Sequence, residues 1–311
     1  MLFSDHRLAW NKSRSCASCH DPKLAFTDGY RRSVTPSGEL VAHNAPSLVN
    51  VSQYQVFDWA HPLTRTLQEQ LRRPLFATHP LELGLHRHWT EFVQVLNTDP
   101  EYTILWQQAY GSGAKPQDTS KIIECLIYYL NTLQSGSSSY DRWMSGDSSF
   151  ISASARRGRK LFFSSRLRCS RCHGGRFFSN ATLSSNYDSI YFNTGLYEKY
   201  PSEDPGLSAV TQQSGDEGRF RVPSLRNVTL TAPYMHDGSV SSLSEVIDIY
   251  SQGGRVIESG PYAGNGAKHP NRHGFVNGFH LTEAEKSDLL NFLGTLTDTV
   301  FLSNQIPSPL N

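Results

Sequence analysis

Cys16-Ala17-Ser18-Cys19-His20 and Cys169-Ser170-Arg171-Cys172-His173 are two copies of the pattern Cys-x-x-Cys-His, and they contain four of the five cysteines in this chain of 311 residues. Two intervening residues place both thiols near one edge of a porphyrin, where each can form a thioether with a vinyl group. The next residue, His, then lies beneath the iron as its proximal ligand. The repeated pattern therefore predicts two haem c groups, one held by Cys16, Cys19 and His20 and the other by Cys169, Cys172 and His173.

Other uses of paired cysteines fit this pattern less well. A disulfide framework does not place a His directly after each pair, and a zinc ribbon needs neither His. A thiol redox centre or a zinc site is the alternative that remains open. The fifth cysteine, Cys125, falls within an apolar helical stripe and is most simply an inert thiol.

Charge and hydropathy exclude several classes of partner. The chain has 29 basic and 28 acidic residues and a formal charge of +1, which gives no general attraction to nucleic acid or anionic membranes. No apolar run approaches the roughly 18–20 residues that span a bilayer. Haem c is attached on the outer side of the bacterial cytoplasmic membrane, so we expect a periplasmic protein. Because residues 1–5 (MLFSD) do not read as a leader, we expect the numbering to begin after a removed one.

The hydrophobic pattern predicts a mainly α-helical fold with little β-structure. Ser- and Gly-rich segments at 135–139 and 145–149 are typical of linkers and indicate a boundary near residue 147. The prediction is two cytochrome c-like domains in tandem, residues 1–147 and 148–311, each with one haem. A small hairpin is predicted at 187–194. Helices are predicted at 64–75, 120–133, 152–163, 243–250 and from a capping box at Thr282 and Glu285 to about residue 296.

Seven segments, spread from end to end of the chain, resemble the dihaem cytochrome c peroxidases and their MauG-like relatives. The resemblance implies two helical cytochrome c-like domains with the haems on either side of a Trp. It also implies one five-coordinate haem that meets hydrogen peroxide, in the first domain, and one six-coordinate haem in the second. The segments are 16–21 (CASCHD), 44–50 (NAPSLVN), 80–84 (PLELG), 169–174 (CSRCHG), 222–228 (VPSLRNV), 231–239 (TAPYMHDGS) and 243–247 (LSEVI).

The sixth ligand of the second haem separates the two branches of this family. Peroxidases place a Met fourteen residues after the His of the Pro-Tyr-x-His-Asp-Gly motif, whereas MauG-like members place a Tyr there. Counting from His236 gives Tyr250, and none of the three Met residues is in that register. A thioether favours Fe(II), whereas a hard phenolate favours Fe(III) and can sustain Fe(IV). The resemblance therefore implies Tyr250 as an iron ligand and the MauG-like branch.

Further site residues follow from the same resemblance. Glu82 matches the family's distal glutamate, which moves a proton between the two peroxide oxygens. Trp59 matches the inter-haem Trp, although it is followed by Ala60-His61-Pro62 and the family's usual string is Trp-Asp-Gly-Arg. Residues 30–42 hold no His that could block the first iron, and His43 is expected to be a loop residue. The resemblance also implies a calcium ion held by Asn44, Thr231 and Pro233.

The function implied is that of a MauG-like enzyme. Hydrogen peroxide would generate a high-valent, bis-Fe(IV) state, which oxidises a residue, commonly Trp, on a partner protein by long-range electron transfer. The methanobactin-associated (MbnH-like) branch, which converts a partner Trp to kynurenine, is favoured because residues 164–168 lack the aromatic exit relay of the methylamine dehydrogenase-maturing member. The alternatives are a peroxide-scavenging dihaem cytochrome c peroxidase and a non-catalytic dihaem electron carrier.

Overall fold

Helices provide most of the regular structure in residues 1–113 and 118–305, the part of the chain that the computed structural model describes. The predicted mainly helical fold is confirmed, and each predicted helix is present within a few residues of its expected bounds. The helices are α1 (Leu67–Phe76), α2 (Trp89–Thr98), α3 (Pro100–Tyr110), α4 (Thr119–Thr132), α5 (Ser139–Met144), α6 (Ala153–Phe162), α7 (Tyr187–Ile190), α8 (Ser208–Thr211), α9 (Leu243–Ser251), α10 (Glu283–Gly294) and α11 (Thr299–Gln305). Within the described residues, no helix has the length and hydropathy needed to cross a bilayer.

Side-chain caps explain where several helices begin. The predicted capping box at α10 is present, because Thr282 accepts from the Glu285 N–H while Glu285 accepts from the Thr282 N–H. The same arrangement joins Thr66 and Glu69, so α1 begins at Leu67 rather than at residue 64. Each such cap satisfies N–H groups that have no partner inside the helix.

The strands are four two-residue pieces, which agrees with the prediction of little β-structure. They are β1 (Tyr191–Phe192), β2 (Phe220–Arg221), β3 (Val256–Ile257) and β4 (Gly264–Asn265), paired antiparallel as β1–β2 and β3–β4. The prediction of a hairpin within 187–194 is wrong. That segment begins as α7, and β1 pairs with the distant β2. Tyr191 and Phe192 are both buried and do not alternate between core and solvent, as the strand of a half-exposed hairpin would.

Residues at the end of the chain pack against its first half. Phe301 of α11 belongs to the same buried cluster as Phe26, and their ring centroids are 6.4 Å apart. Asp298, only 1% exposed, accepts hydrogen bonds from the Gly136 and Ser137 N–H groups. The segment 135–139 is thus tied into the structure and is not the flexible linker that its composition indicated. The domain boundary near residue 147 stays a prediction.

Helices α6 and α10 pack along each other at the level of Gly158. A Cβ on Gly158 would lie 1.9 Å from the Asp288 carbonyl oxygen, so only glycine allows this approach. The Asp288 side chain also binds Arg157 and Ser154 of α6, with a bidentate contact of 2.7 Å to the Arg157 guanidinium. This contact fixes α6, and α6 leads directly into the second Cys-x-x-Cys-His motif.

We expect Gly158→Ala to lower the free energy of unfolding of the holoprotein by about 1–3 kcal/mol or more, since the backbones of two helices must separate. Gly294→Ala is the matched control, because it also lies in α10 and a Cβ there meets nothing within 4 Å. The control should be neutral or stabilising by about 0.5–1 kcal/mol. Thermal and denaturant unfolding measure both variants, and equal midpoints would show that the close approach is not needed.

Candidate functional site

The first Cys-x-x-Cys-His motif forms a turn of 3-10 helix, Cys16–Ser18, which carries His20 on its end. The His20 N–H donates to the Cys16 carbonyl at 3.0 Å, and the ring Nδ1 lies 2.9 Å from the Phe26 carbonyl oxygen. A carbonyl oxygen can only accept, so Nδ1 carries the ring proton. The Nε2 atom then keeps its lone pair, which is the state that an iron ligand requires.

The second motif repeats this geometry. Cys169–Arg171 forms the turn, the His173 N–H donates to the Cys169 carbonyl at 2.9 Å, and Nδ1 lies 3.1 Å from the Phe178 carbonyl. Burial lowers the pKa of His173 to about 4, so its ring is neutral at pH 7. Phe178 and its counterpart Phe26 both have positive φ, 53° and 61°, and both are almost fully buried. The two sites therefore share one local frame, as the sequence repeat indicated.

The four motif cysteines are partly buried, and their thiols are free in the described structure. Desolvation raises the pKa of Cys16, Cys169 and Cys172 to about 12, and it raises that of Cys19 as well. Such thiols stay protonated at neutral pH, unlike the low-pKa thiolates of redox centres. The two pairs also lie in separate cavities, so they cannot share one zinc ion. Both observations disfavour the alternatives to haem.

Each motif lines its own large cavity, and the two cavities share a wall. Trp59 belongs to this wall: it is 8% exposed, and its indole N–H donates to the Asn44 carbonyl at 2.9 Å. The structure therefore brings Trp59 between the two predicted haem sites. The residues that line both cavities are Asn44, Ala45, Pro46, Ser47, Tyr54, Trp59 and Arg221.

Arg221 was missed by sequence reasoning. Its side chain is buried and lies over the rings of Tyr54 and Trp59, with centroid distances of 4.4 and 5.6 Å. Among the described residues, its Nη1 atom has no hydrogen-bond partner. Its Nε donates to the Asp58 carbonyl at 3.2 Å, so the guanidinium is only partly satisfied. Burying Nη1 without an acceptor is costly, and the carboxylates of a haem would supply one. The signal was available, because Arg221 is a charged residue between apolar Phe220 and Val222.

Glu82 also lines the first cavity, and its distal role stays a prediction. Desolvation raises the pKa of Glu82, and the nearby Arg73 opposes this only in part. Gln70 lines the same cavity from α1, and its Oε1 is buried without a partner among the described residues. Gln70 was not singled out from the sequence, although the spacing of Leu67, Gln70, Leu71 and Pro74 places these residues on one helix face.

Tyr250, in the penultimate position of α9, lines the second cavity. Burial raises the pKa of the Tyr250 phenol, so the phenol stays protonated at neutral pH unless a nearby cation stabilises the phenolate. Met235 also lines this cavity, although it is outside the register of a family thioether ligand. The other two Met residues, Met1 and Met144, are about half exposed, at 49% and 57%.

The three predicted calcium ligands line the second cavity together, with Asn44 in the shared wall. The Asn44 side chain amide donates to the Tyr30 carbonyl at 2.9 Å, which leaves its Oδ1 as an acceptor. Thr231 and Pro233 supply a hydroxyl and a carbonyl oxygen, the neutral oxygen donors that calcium accepts. His43, expected to be a loop residue, lines the first cavity and has its Nε2 held by Asp204 at 3.0 Å.

Comparison with known proteins gives the family of this chain. Residues 1–149 match the family described as di-haem cytochrome c peroxidase. MauG of Methylorubrum extorquens is 31% identical over 95% of this chain and 76% of its own length. The chain is a member of the dihaem cytochrome c peroxidase and MauG family. The predicted enzyme class is thereby confirmed: the protein is a haem oxidoreductase of the peroxidase type, with hydrogen peroxide as co-substrate.

Two further comparisons concern the two branches of the family. A MauG-like protein associated with microbial copper homeostasis has 38% sequence identity to it and superposes with a TM-score of 0.92, covering 99% of this chain and 89% of the other. The cytochrome c peroxidase Ccp of Escherichia coli is 30% identical over 80% of this chain but only 51% of its own length. The fold of the MauG-like protein is thus shared along nearly the whole chain.

Proposed function

We propose that this protein is a MauG-like enzyme that uses hydrogen peroxide to oxidise a Trp on a partner protein at a distance. The observation that carries the proposal is Tyr250, which lines the second cavity where peroxidases of the family have a Met ligand. The likeness to a MauG-like protein along 99% of the chain supports it. Membership of the methanobactin-associated branch, with a partner Trp converted to kynurenine, is part of the proposal.

The cofactor assignment is two haem c groups. Cys16 and Cys19 hold the first through thioethers and Cys169 and Cys172 the second, while His20 and His173 supply their Nε2 atoms as proximal ligands. When bound, the haems supply the irons that take up peroxide and accept its oxidising equivalents. With the haems bound, Tyr250 would be a ligand of the second iron, and Arg221 would pair with haem carboxylates in the shared wall.

Glu82 moves the proton in the peroxide step. Its carboxylate takes a proton from one peroxide oxygen and returns it to the other, so that water leaves when the O–O bond breaks. Gln70, on the same cavity wall, can orient the peroxide by accepting a hydrogen bond at Oε1. His43 does not compete for the iron while Asp204 holds its Nε2 atom.

Trp59 connects the two sites. Its indole lies in the wall common to both cavities and is held there by the Asn44 carbonyl. An aromatic ring in this position lets an electron pass between the two haem sites without any movement of either site. Calcium bound by Asn44, Thr231 and Pro233 would fix the same wall, since Asn44 belongs to both arrangements. The compartment is the periplasm, where haem c is attached.

A second candidate function is peroxide scavenging with electrons from a small cytochrome. The lining position of Met235 favours it, because a thioether on the second iron would raise its potential. Identity of 30% to the E. coli peroxidase is in keeping with this alternative.

Replacing Glu82 tests the proton transfer. Because burial raises the pKa of Glu82, the carboxylate form is lost at a higher pH than the about 4.3 of a free Glu. The rate of reaction with peroxide should therefore fall as pH decreases through this raised pKa. Glu82→Gln should remove that pH dependence and slow the reaction by about 10²–10⁴-fold. Stopped-flow absorption measures the rate of reaction with peroxide at each pH, and the exposed Glu39→Gln is the control. If wild type and Glu82→Gln showed the same dependence of this rate on pH, proton transfer by Glu82 would be excluded.

Replacing Tyr250 tests the sixth ligand. We expect Tyr250→Met to raise the potential of the second haem, because a soft thioether stabilises Fe(II) relative to a phenolate. The matched control is Met235→Leu, which removes the other candidate ligand on the same cavity wall and should leave the potential unchanged. Spectroelectrochemical titration measures both variants. A potential that moves with Met235→Leu and not with Tyr250→Met would assign the ligand to Met235.

The function itself is tested by the fate of the oxidising equivalents. Peroxide added to the diferric protein should give a slowly decaying near-infrared charge-resonance band, and proteins co-expressed from adjacent genes should gain the mass of an oxidised Trp. The Tyr250→Met variant should lose both effects. Rapid turnover of a reduced small cytochrome, with no mass change in any co-expressed protein, would support peroxide scavenging instead.

A further inference from the structure

A row of aromatic rings leads from the second cavity to the protein surface. Phe220 and His236 line the cavity and stack on each other, with ring centroids 3.4 Å apart. Tyr200 packs against both, at 6.0 and 6.3 Å, and Tyr197 lies 5.5 Å beyond Tyr200. The row ends at Tyr262, whose ring is 5.3 Å from that of Tyr197.

Burial changes along this row in the order that an exit path requires. Tyr200 and Tyr197 are 8% and 4% exposed, and both belong to the same buried cluster as Trp59. Tyr262 is 36% exposed and therefore meets solvent and external molecules. The row thus joins the wall between the two haem sites to an accessible phenol.

Tyr197 also has a proton acceptor in place. Its hydroxyl donates to Asp237 Oδ2 at 2.6 Å, and the neighbouring Arg31 holds the same carboxylate. A phenol loses an electron easily only when its proton can leave at the same time, since the oxidised phenol is a strong acid. Burial raises the pKa of Tyr197 to about 12, so its proton does not leave before oxidation. The Asp237 carboxylate supplies the missing base.

We propose that Tyr200, Tyr197 and Tyr262 form the path by which electrons enter the haem sites from an external donor, with Tyr262 as the contact point. The inference deepens the proposed function, because it names the exit route for the oxidising equivalents. It requires only the peroxide chemistry of the family and does not require that the donor be a partner Trp.

Each transfer along the path balances in electrons and protons. Tyr197 gives one electron towards the cavity through Tyr200, and its phenol proton moves to Asp237 Oδ2. Tyr262 then reduces the Tyr197 radical, the proton returns to Tyr197, and the Tyr262 proton passes to Glu203, 3.4 Å away, or to solvent. A one-electron protein donor, a Trp side chain in the proposed function or a reduced cytochrome in the alternative, then gives Tyr262 an electron, and Glu203 or solvent returns its proton. Two such transfers, with two protons from solvent, reduce one hydrogen peroxide to two water molecules.

Other aromatic groups near the second cavity are less suited to this task. The rings of Phe162, Phe163, Phe178 and Phe292 lie 5.1–6.4 Å apart, but phenylalanine is hard to oxidise, so a cluster made only of Phe offers no residue that can hold the hole. Trp143 lies next to Tyr140, at 6.1 Å, but the Arg159 guanidinium lies 5.2 Å above its ring. A cation in that position opposes a positive charge on the indole.

The test uses the holoprotein, hydrogen peroxide and the nitroso spin trap 2-methyl-2-nitrosopropane, with no protein donor present. Peptide mapping by mass spectrometry then locates the trapped radical. We expect the adduct on Tyr262 in the wild type and its loss in both Tyr262→Phe and Tyr197→Phe. Tyr128→Phe is the matched control, because Tyr128 is an exposed phenol, 64% accessible, that lies on α4 away from the row.

Each variant is used only if its haem absorption and its unfolding midpoint match those of the wild type. We expect Tyr262→Phe to meet this condition, because the Tyr262 side chain is at the surface. An adduct on Tyr262 that survives Tyr197→Phe would overturn the path. An adduct on Trp143 that Trp143→Phe alone removes would also overturn it and place the exit on the other side. Because no partner protein is present, the labelling of Tyr262 tests the path alone. If Tyr262 were labelled here while co-expressed proteins gained no oxidised Trp, the proposed function would be contradicted and the path would stand.

Discussion

Asn44 is the residue on which the arrangement of the two sites depends. Its backbone N–H donates to the His236 carbonyl at 2.7 Å, its carbonyl accepts from the Trp59 indole at 2.9 Å, and its side chain donates to the Tyr30 carbonyl. These bonds tie the loop after the first motif to the Pro-Tyr-x-His segment of the second half. Asn44 therefore holds both the wall shared by the two cavities and the Trp59 ring within that wall. Hydrogen bonds at this one residue help to fix how far apart the two predicted haem sites lie.

Local signals in the sequence predicted the parts of the structure that depend on neighbouring residues. The two Cys-x-x-Cys-His motifs, the capping box at Thr282 and the register from His236 to Tyr250 are short-range patterns, and the structure contains all of them. Placing Glu82 and Trp59 on the cavity walls depended on family resemblance, since a lone Glu or Trp carries no such signal. Their chemical roles remain predictions.

Features that depend on distant pairing were not predicted. Strand β1 pairs with residues about thirty positions later, and Asp298 holds Gly136 and Ser137 across more than half of the chain. The apolar neighbours of Arg221 in the sequence mark it as unusual, but its position between the two cavities depends on long-range packing. Composition gave the wrong indication at 135–139. A Ser- and Gly-rich segment is typical of a linker, but here the Gly136 and Ser137 N–H groups are hydrogen-bonded to the buried Asp298 carboxylate.

The charges beside the aromatic rings give electron transfer a direction. Arg221 places a cation 5.6 Å from the Trp59 ring, whereas Asp237 places a carboxylate in contact with the Tyr197 hydroxyl. A positive hole is therefore destabilised on Trp59 and stabilised on Tyr197, where the phenol proton can also leave. A haem carboxylate on Arg221 would reduce this contrast without reversing its sign, since Asp237 would still provide the base. In the proposed function, Trp59 would therefore conduct charge between the two sites and Tyr197 would draw it outward, so that the sharing of oxidising equivalents and their release would use different residues.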